Sequence, residues 1–262
     1  MSFNPRETFF QSLSQKQYPD YFDNVILFLK FNGTTGASVF TDSSFQNTTF
    51  TANRGARISS TFSKSEPTSL HVPNTGDDGF NSVIGTKDLI WAAESDLWHL
   101  GTQSFTIEAW INMASGRNGG GWMGQAQRND TFWAVSCSLS GGNFSQSIGA
   151  IDSGVWRINL TQNISAATAS IIGVWNHIAI TRQSFATGST WFFFFNGKYS
   201  GAGVQSAGGT NNGNFANITG TFSVGSSLRN LGVSFQGYLD DVIITKGVAK
   251  YVGDFEPVYY NY

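Results

Sequence analysis

The chain has 262 residues, of which 40% are hydrophobic and only 12% charged, with 30 glycines, 23 phenylalanines and 8 tryptophans. That is enough apolar material for a packed core, it rules out wholesale disorder, and its aromatic and glycine content suits strands and tight turns. A formal charge of −2 with no basic cluster argues against a nucleic-acid partner, and one cysteine, Cys137, excludes an intrachain disulfide or a cysteine zinc framework.

Residues 1–19, "MSFNPRETFFQSLSQKQYP", are polar and lack strand alternation. They read as a short N-terminal arm, with Phe3, Phe9 and Phe10 as anchors on a neighbouring subunit or a larger assembly. The arm has neither the basic start nor the apolar stretch of an export signal, so synthesis in the cytoplasm is expected. The longest apolar run in the chain, "WFFFF", falls far short of the roughly 20 residues that span a bilayer, so no membrane insertion is expected.

Short strand signals begin after the arm. "NVILFLKF" (24–31) is followed by "TSLHV" (68–72), and residues 73–88 read as a polar loop. "LIWAAESDLWHL" (89–100) mixes strand and one-turn helix signals. "QSFTIEAWINM" (103–113) is a clear strand, after which "ASGRNGGGWMGQAQRND" (114–130) is predicted to be a glycine-rich loop. In that loop an exposed Trp122 would stack on a sugar face while Arg117, Asn118 and Gln125 bind hydroxyls. "TFWAVSCSL" (131–139) places Cys137 as a small buried hydrophobe, and "DSG" (152–154) predicts a hairpin. Strands at 173–184, 189–195, 220–227 and 235–250 complete the pattern. At least ten short strands with almost no helical periodicity predict an all-β, two-sheet antiparallel jelly-roll sandwich forming one domain over residues 20–262.

"STWFFFFNGKYSG" (189–201) carries its own problem. Asn196–Gly197 is a hairpin-turn signal, so the aromatic run is a strand entering a reversal. Trp191, Phe193 and Phe195 share one face, while Phe192 and Phe194 share the other. One face fills the core. The second must then be covered by a long loop, the arm or another subunit, which argues for a homo-oligomer or a larger assembly.

Three ordered segments carry a resemblance: "SFTIEAWIN" (104–112), "GVWNHIAITRQ" with "TWFFFFNGKYSG" (173–201), and "FQGYLDDVIITKGVAKY" (235–251). Together they resemble the laminin-G-like, concanavalin A-like lectin/glucanase jelly roll. "YFDNVILFLKFNGTTGASVFTDSS" (21–44) resembles the opening of the variant found in bacteriophage structural proteins. The resemblance implies a non-enzymatic virion subunit of the capsid-decoration, spike or fibre type. Its partners would be other virion proteins and, through adhesion, host-surface glycans. A stand-alone lectin is the alternative, and a polysaccharide hydrolase a further one. The resemblance also implies structural calcium at Asp42 and Asp240, although Asn32 stands where related variants carry Asp. Glu108 lacks the acidic neighbours of the glucanase E-x-D-x-x-E strand, so no catalytic residue is assigned. His71, His99 and His177 are too scattered for a zinc signature, and His177 reads as structural.

Overall fold

The computed structural model describes residues 21–65, 67–73, 75, 86–114, 119–128, 130–165, 170–205, 213–227 and 234–258. Phe3, Phe9, Phe10, Arg117 and Asn118 lie outside the described residues. Alternating apolar positions between glycine and asparagine turns produce seventeen strands among the described residues. The first six are β1 (Val25–Leu29), β2 (Val39–Thr41), β3 (Thr49–Asn53), β4 (Arg57–Ser59), β5 (Ser69–Val72) and β6 (Leu89–Ala92). A long-stranded middle follows: β7 (Phe105–Met113), β8 (Gly119–Arg128), β9 (Thr131–Ser140), β10 (Asn143–Asp152) and β11 (Val155–Ile164). The last six are β12 (Trp175–Phe185), β13 (Gly188–Phe195), β14 (Lys198–Gly201), β15 (Val204–Gln205), β16 (Thr221–Val224) and β17 (Gly237–Lys246).

They form two antiparallel sheets, as the sequence predicts. The first runs β14-β13-β12-β7-β17-β5-β4, with β1 also paired to β17, and the second runs β15-β11-β10-β9-β8-β16-β6-β3-β2. The "DSG" and Asn–Gly turns are where expected. Ser153 and Gly154 have φ of 50° and 82°, and Asn196 and Gly197 have 49° and 74°, the twist that matches flanking strands. The ambiguous 89–100 segment resolves into both of its signals: β6, then a single 3-10 turn at Asp96–Trp98 capped by Ser95, whose Oγ accepts from Leu97 N at 3.3 Å.

Between the sheets lies an aromatic core. Trp98 stacks on Phe222 at 4.2 Å, while Phe215 meets Phe105, Trp133 and Trp191 at 5.5–6.5 Å. Each of these side chains is nearly or fully buried, a contribution of roughly 1.5–3 kcal/mol apiece. Cys137 belongs to this core, and burial pushes its thiol up to about 12.

Two readings need correction. The predicted glycine-rich loop is largely strand β8, a central member of the second sheet. Its glycines serve close approach rather than flexibility: a Cβ on Gly121 would stand 1.9 Å from Ser227 Oγ. The second correction concerns what covers the phenylalanine strand. Trp191, Phe193 and Phe195 face the second sheet, as parity requires. Phe192 and Phe194 lie on the outer face beneath Tyr199 and the chain's own C-terminal segment, residues 247–258. Phe194 meets Tyr251 at 6.0 Å and Phe255 at 5.3 Å, and Tyr251 and Phe255 are themselves stacked. Lys250 N donates to Thr106 Oγ1, Phe255 N to Gly197 O and Trp110 Nε1 to Val258 O, so the segment straps the part of the sheet from β7 to the β13–β14 turn. None of the five aromatic residues from Trp191 to Phe195 is freely exposed. Among the described residues, no helix is long and apolar enough to cross a membrane.

Candidate functional site

Of the predicted sugar-stacking group, the two described residues, Trp122 and Gln125, are turned into the protein. Trp122 is 1% exposed, because β8 packs its side chain into the core. Gln125 is fully buried, with Nε2 donating to Ile218 O at 2.7 Å and Gly220 O at 3.1 Å, and Oε1 accepting from Trp133 Nε1 at 3.3 Å. Both residues are therefore structural.

The two acids expected to hold calcium are also turned inward. Asp42 is 1% exposed. Its Oδ1 accepts from Phe28 N at 2.7 Å and Ser44 N at 2.8 Å, and its Oδ2 from Ser44 Oγ at 2.7 Å and Thr48 N at 3.4 Å. With both oxygens occupied by protein donors, Asp42 ties the loop after β2 to β1 across the sandwich. A calcium ion would have to displace those bonds.

Asp240 sits at a bulge of β17, where the strand's pairing edge passes from β5 to β1. Its Oδ2 accepts from Lys64 N and Ser65 N at 2.8 and 2.9 Å, and Ser65 Oγ donates to Asp241. Burial and the adjacent Asp241 push the Asp240 carboxyl up to about 8 against the pull of those amides. The pair pins the β4–β5 connection, and neither acid reaches the surface.

On the outer face of the first sheet, Glu108 is held from three directions. Lys250 Nζ pairs with Oε1, His177 Nε2 lies 3.2 Å from Oε2, and Tyr251 Oη donates to Oε2 at 2.9 Å. Glu108, His177 and Lys250 side chains are only 2–3% exposed. Burial alone would raise the Glu108 carboxyl, but Lys250 and then His177 outweigh it and hold the group at about 2. His177 is thus structural, as read from its position. The partners on the strap were not visible in the sequence pattern, since they lie more than 140 residues from Glu108.

Three surface features remain. Glu94, Asp96 and His99 bring metal-capable atoms within 4.8 Å of one another, the one such group among the described residues. His99 Nε2 also stands 3.2 Å from Ile218 O, so that nitrogen already has a partner. A depression of about 160 Å³ beside β1 and β2 is lined by Lys30, Asn32 and Ser43. A wider one, about 460 Å³, lies at the β12–β13 turn and is lined by Thr102, Arg182, Ser184, Phe185 and Thr187. Arg182 escaped the sequence reading. Its signal is a charged residue continuing the inward series Ile178, Ile180 along β12.

A family model described as the concanavalin A-like lectin/glucanases superfamily matches residues 84–249, well over half of the chain. Solved structures with this fold include the botulinum neurotoxin serotype D/C binding domain, at 15% identity and a TM-score of 0.58. The botulinum neurotoxin DC binding domain in complex with SialylT matches at 15% and 0.56. A structure of botulinum neurotoxin type C, whose cell entry is dependent upon interaction with two ganglioside molecules, matches at 13% and 0.55. Each alignment covers 87% of this chain, which spans about half the length of those proteins, 49–50%. At such identities the likeness is one of fold. No curated protein matches the chain.

Proposed function

Because the chain belongs to the concanavalin A-like lectin/glucanase superfamily, we propose that it is a non-enzymatic recognition module that binds carbohydrate. The observation that carries the non-enzymatic part is the state of its buried acids. Glycoside hydrolysis needs two carboxyls roughly 5–10 Å apart facing an open cleft. Glu108, the nearest candidate for a glucanase carboxylate, is sealed beneath the C-terminal strap with both oxygens engaged. Asp240 and Asp241, whose environments invite an acid–base reading, are 0% and 2% exposed behind Lys64 and Ser65. No glycosidic bond can reach either set. The open depressions at the sandwich edge leave room for a saccharide, and the neighbours in fold include a toxin binding domain in complex with SialylT and a structure of botulinum neurotoxin type C, whose cell entry depends on interaction with two ganglioside molecules. A glycan array together with a reducing-sugar assay tests this: binding without product release is expected. Sugar release that Glu108→Gln abolishes would overturn it.

A narrower setting has its own support. The resemblance of residues 21–44 to bacteriophage structural proteins favours a virion subunit of the capsid-decoration, spike or fibre type, self-associating and adhering to host glycans. In that setting residues 1–19 attach the domain to other virion proteins. Deleting them should abolish incorporation into particles while leaving the melting temperature unchanged, and normal incorporation would remove the arm from the account.

A further inference from the structure

Among the described residues, Arg182 holds a charge without a counter-charge. Its guanidinium enters the end of the inter-sheet core, 5.6 Å from the Trp191 ring and 6.0 Å from Phe215. The residue is 2% exposed. Nη1 donates to Gly101 O at 3.0 Å, but the buried Nε finds no hydrogen-bond partner, and no carboxylate pairs with the side chain among the described residues. Buried charges are ordinarily paired and fully hydrogen-bonded, and the aromatic rings offset only part of the cost. An unpartnered donor on a buried cation therefore points to a missing anion.

The same side chain lines the 460 Å³ depression at the β12–β13 turn, whose lining contains no acidic residue. Beside it stands Phe185, 54% exposed where an apolar ring gains nothing from water. Thr102, Ser184 and Thr187 add hydroxyls, each able to donate and accept. A cation, a free aromatic face and a set of hydroxyls in one open depression suit a ring that is polar at its edge, apolar on its C–H face and anionic at one point.

We propose that this depression binds an acidic sugar residue, its carboxylate on Arg182 and its C–H face on Phe185. The inference rests on the carbohydrate-binding reading above and names the class of sugar. The guanidinium supplies a charge-assisted hydrogen bond from a donor already desolvated, so pairing it relieves a cost instead of creating one. Neutral sugars lack the group that Arg182 needs. Inorganic phosphate carries the charge but has no face to set against Phe185.

Titration calorimetry with methyl glucuronide, its methyl ester, methyl glucoside and inorganic phosphate separates the cases. The glucuronide should bind, and the ester and glucoside at least about tenfold more weakly. Phe185→Ala, at an exposed position, should weaken the glucuronide about tenfold while leaving phosphate unchanged. Arg182→Lys keeps the charge but loses the planar fork, and should weaken it further. Should that variant unfold, Phe185→Ala and the ester still decide. Equal binding of acid and ester would overturn the inference, as would phosphate binding as tightly as the glucuronide with no effect of Phe185→Ala on either. If neutral oligosaccharides from the array bind and these variants leave that binding intact, the recognition function stands without this site. If no saccharide binds at all, acidic or neutral, both readings fall.

Discussion

Glu108 and Asp240 are buried carboxyls driven in opposite directions by their neighbours, and stability should record both. Glu108 has a folded value of about 2 against an ordinary 4.5, because its cationic partners outweigh burial. Its contribution is present in full above pH 4.5 and is lost as pH falls toward 2. Glu108→Gln leaves Lys250 buried without its carboxylate and should cost about 3–5 kcal/mol at neutral pH, read by urea denaturation. The variant should also lose less stability than the parent on acidification, and an equal acid loss would place the titration elsewhere. Asp240 has the reverse sign. With a folded value of about 8 against 3.8, its contribution is complete below pH 3.8 and is lost as pH rises through 8. Asp240→Asn keeps an oxygen for Lys64 N and Ser65 N but not for Asp241 N, so its baseline should be lower. Its stability should nevertheless be flatter than the parent's across that interval. A slope identical to the parent's would show that Asp240 is ionised throughout.

The strap of residues 247–258 depends on one glycine where it meets β13. Gly197 combines φ of +74° with a Cβ position 2.0 Å from Phe255 O, so an alanine there is strained and also displaces the strap. Gly197→Ala should cost about 1–3 kcal/mol. It should also increase hydrogen exchange at Phe255 N, whose bond to Gly197 O would open. Truncation after Lys250 should go further by baring Phe194, with dye binding and concentration-dependent self-association as the readout. Unchanged sedimentation of the truncated chain would mean that the outer face is not held by these rings. The Asn196–Gly197 turn was legible because its chemistry is local. The cover was not: "YVGDFEPVY" shows no strand alternation, and only the fold brings Tyr251 and Phe255 over Phe194. With the chain covering its own face, the aromatic run no longer argues by itself for a second subunit.

At the scale of the molecule, the sandwich was readable because alternation and turn residues repeat through the chain and each is decided within a few positions. The site was not, because burial is decided by distant neighbours. Trp122 sits beside Gly121, which looks flexible in sequence but is required by the close approach of Ser227, more than 100 residues away. Asp42 and Asp240 likewise looked like rim ligands until their amide donors were in place. Those donors bear on how the layers are fastened. Asp42 joins β1 of the first sheet to the loop that follows β2 of the second, and Asp240 with Asp241 secures the β4–β5 connection, all with protein groups alone. If these bonds suffice, a chelator should leave the melting temperature unchanged and added calcium should not raise it. Calcium at about 100 times its Kd would contribute about 2.7 kcal/mol. That corresponds to a rise of several degrees, at about 2–4 °C per kcal/mol for a chain of this size. A calcium-dependent rise of that order, abolished by Asp42→Asn, would show that the ion displaces the Phe28 and Ser44 amides and that the clamp is its apo form. A rise that survives this change but is lost in Asp96→Asn would instead locate the ion at the Glu94, Asp96 and His99 group.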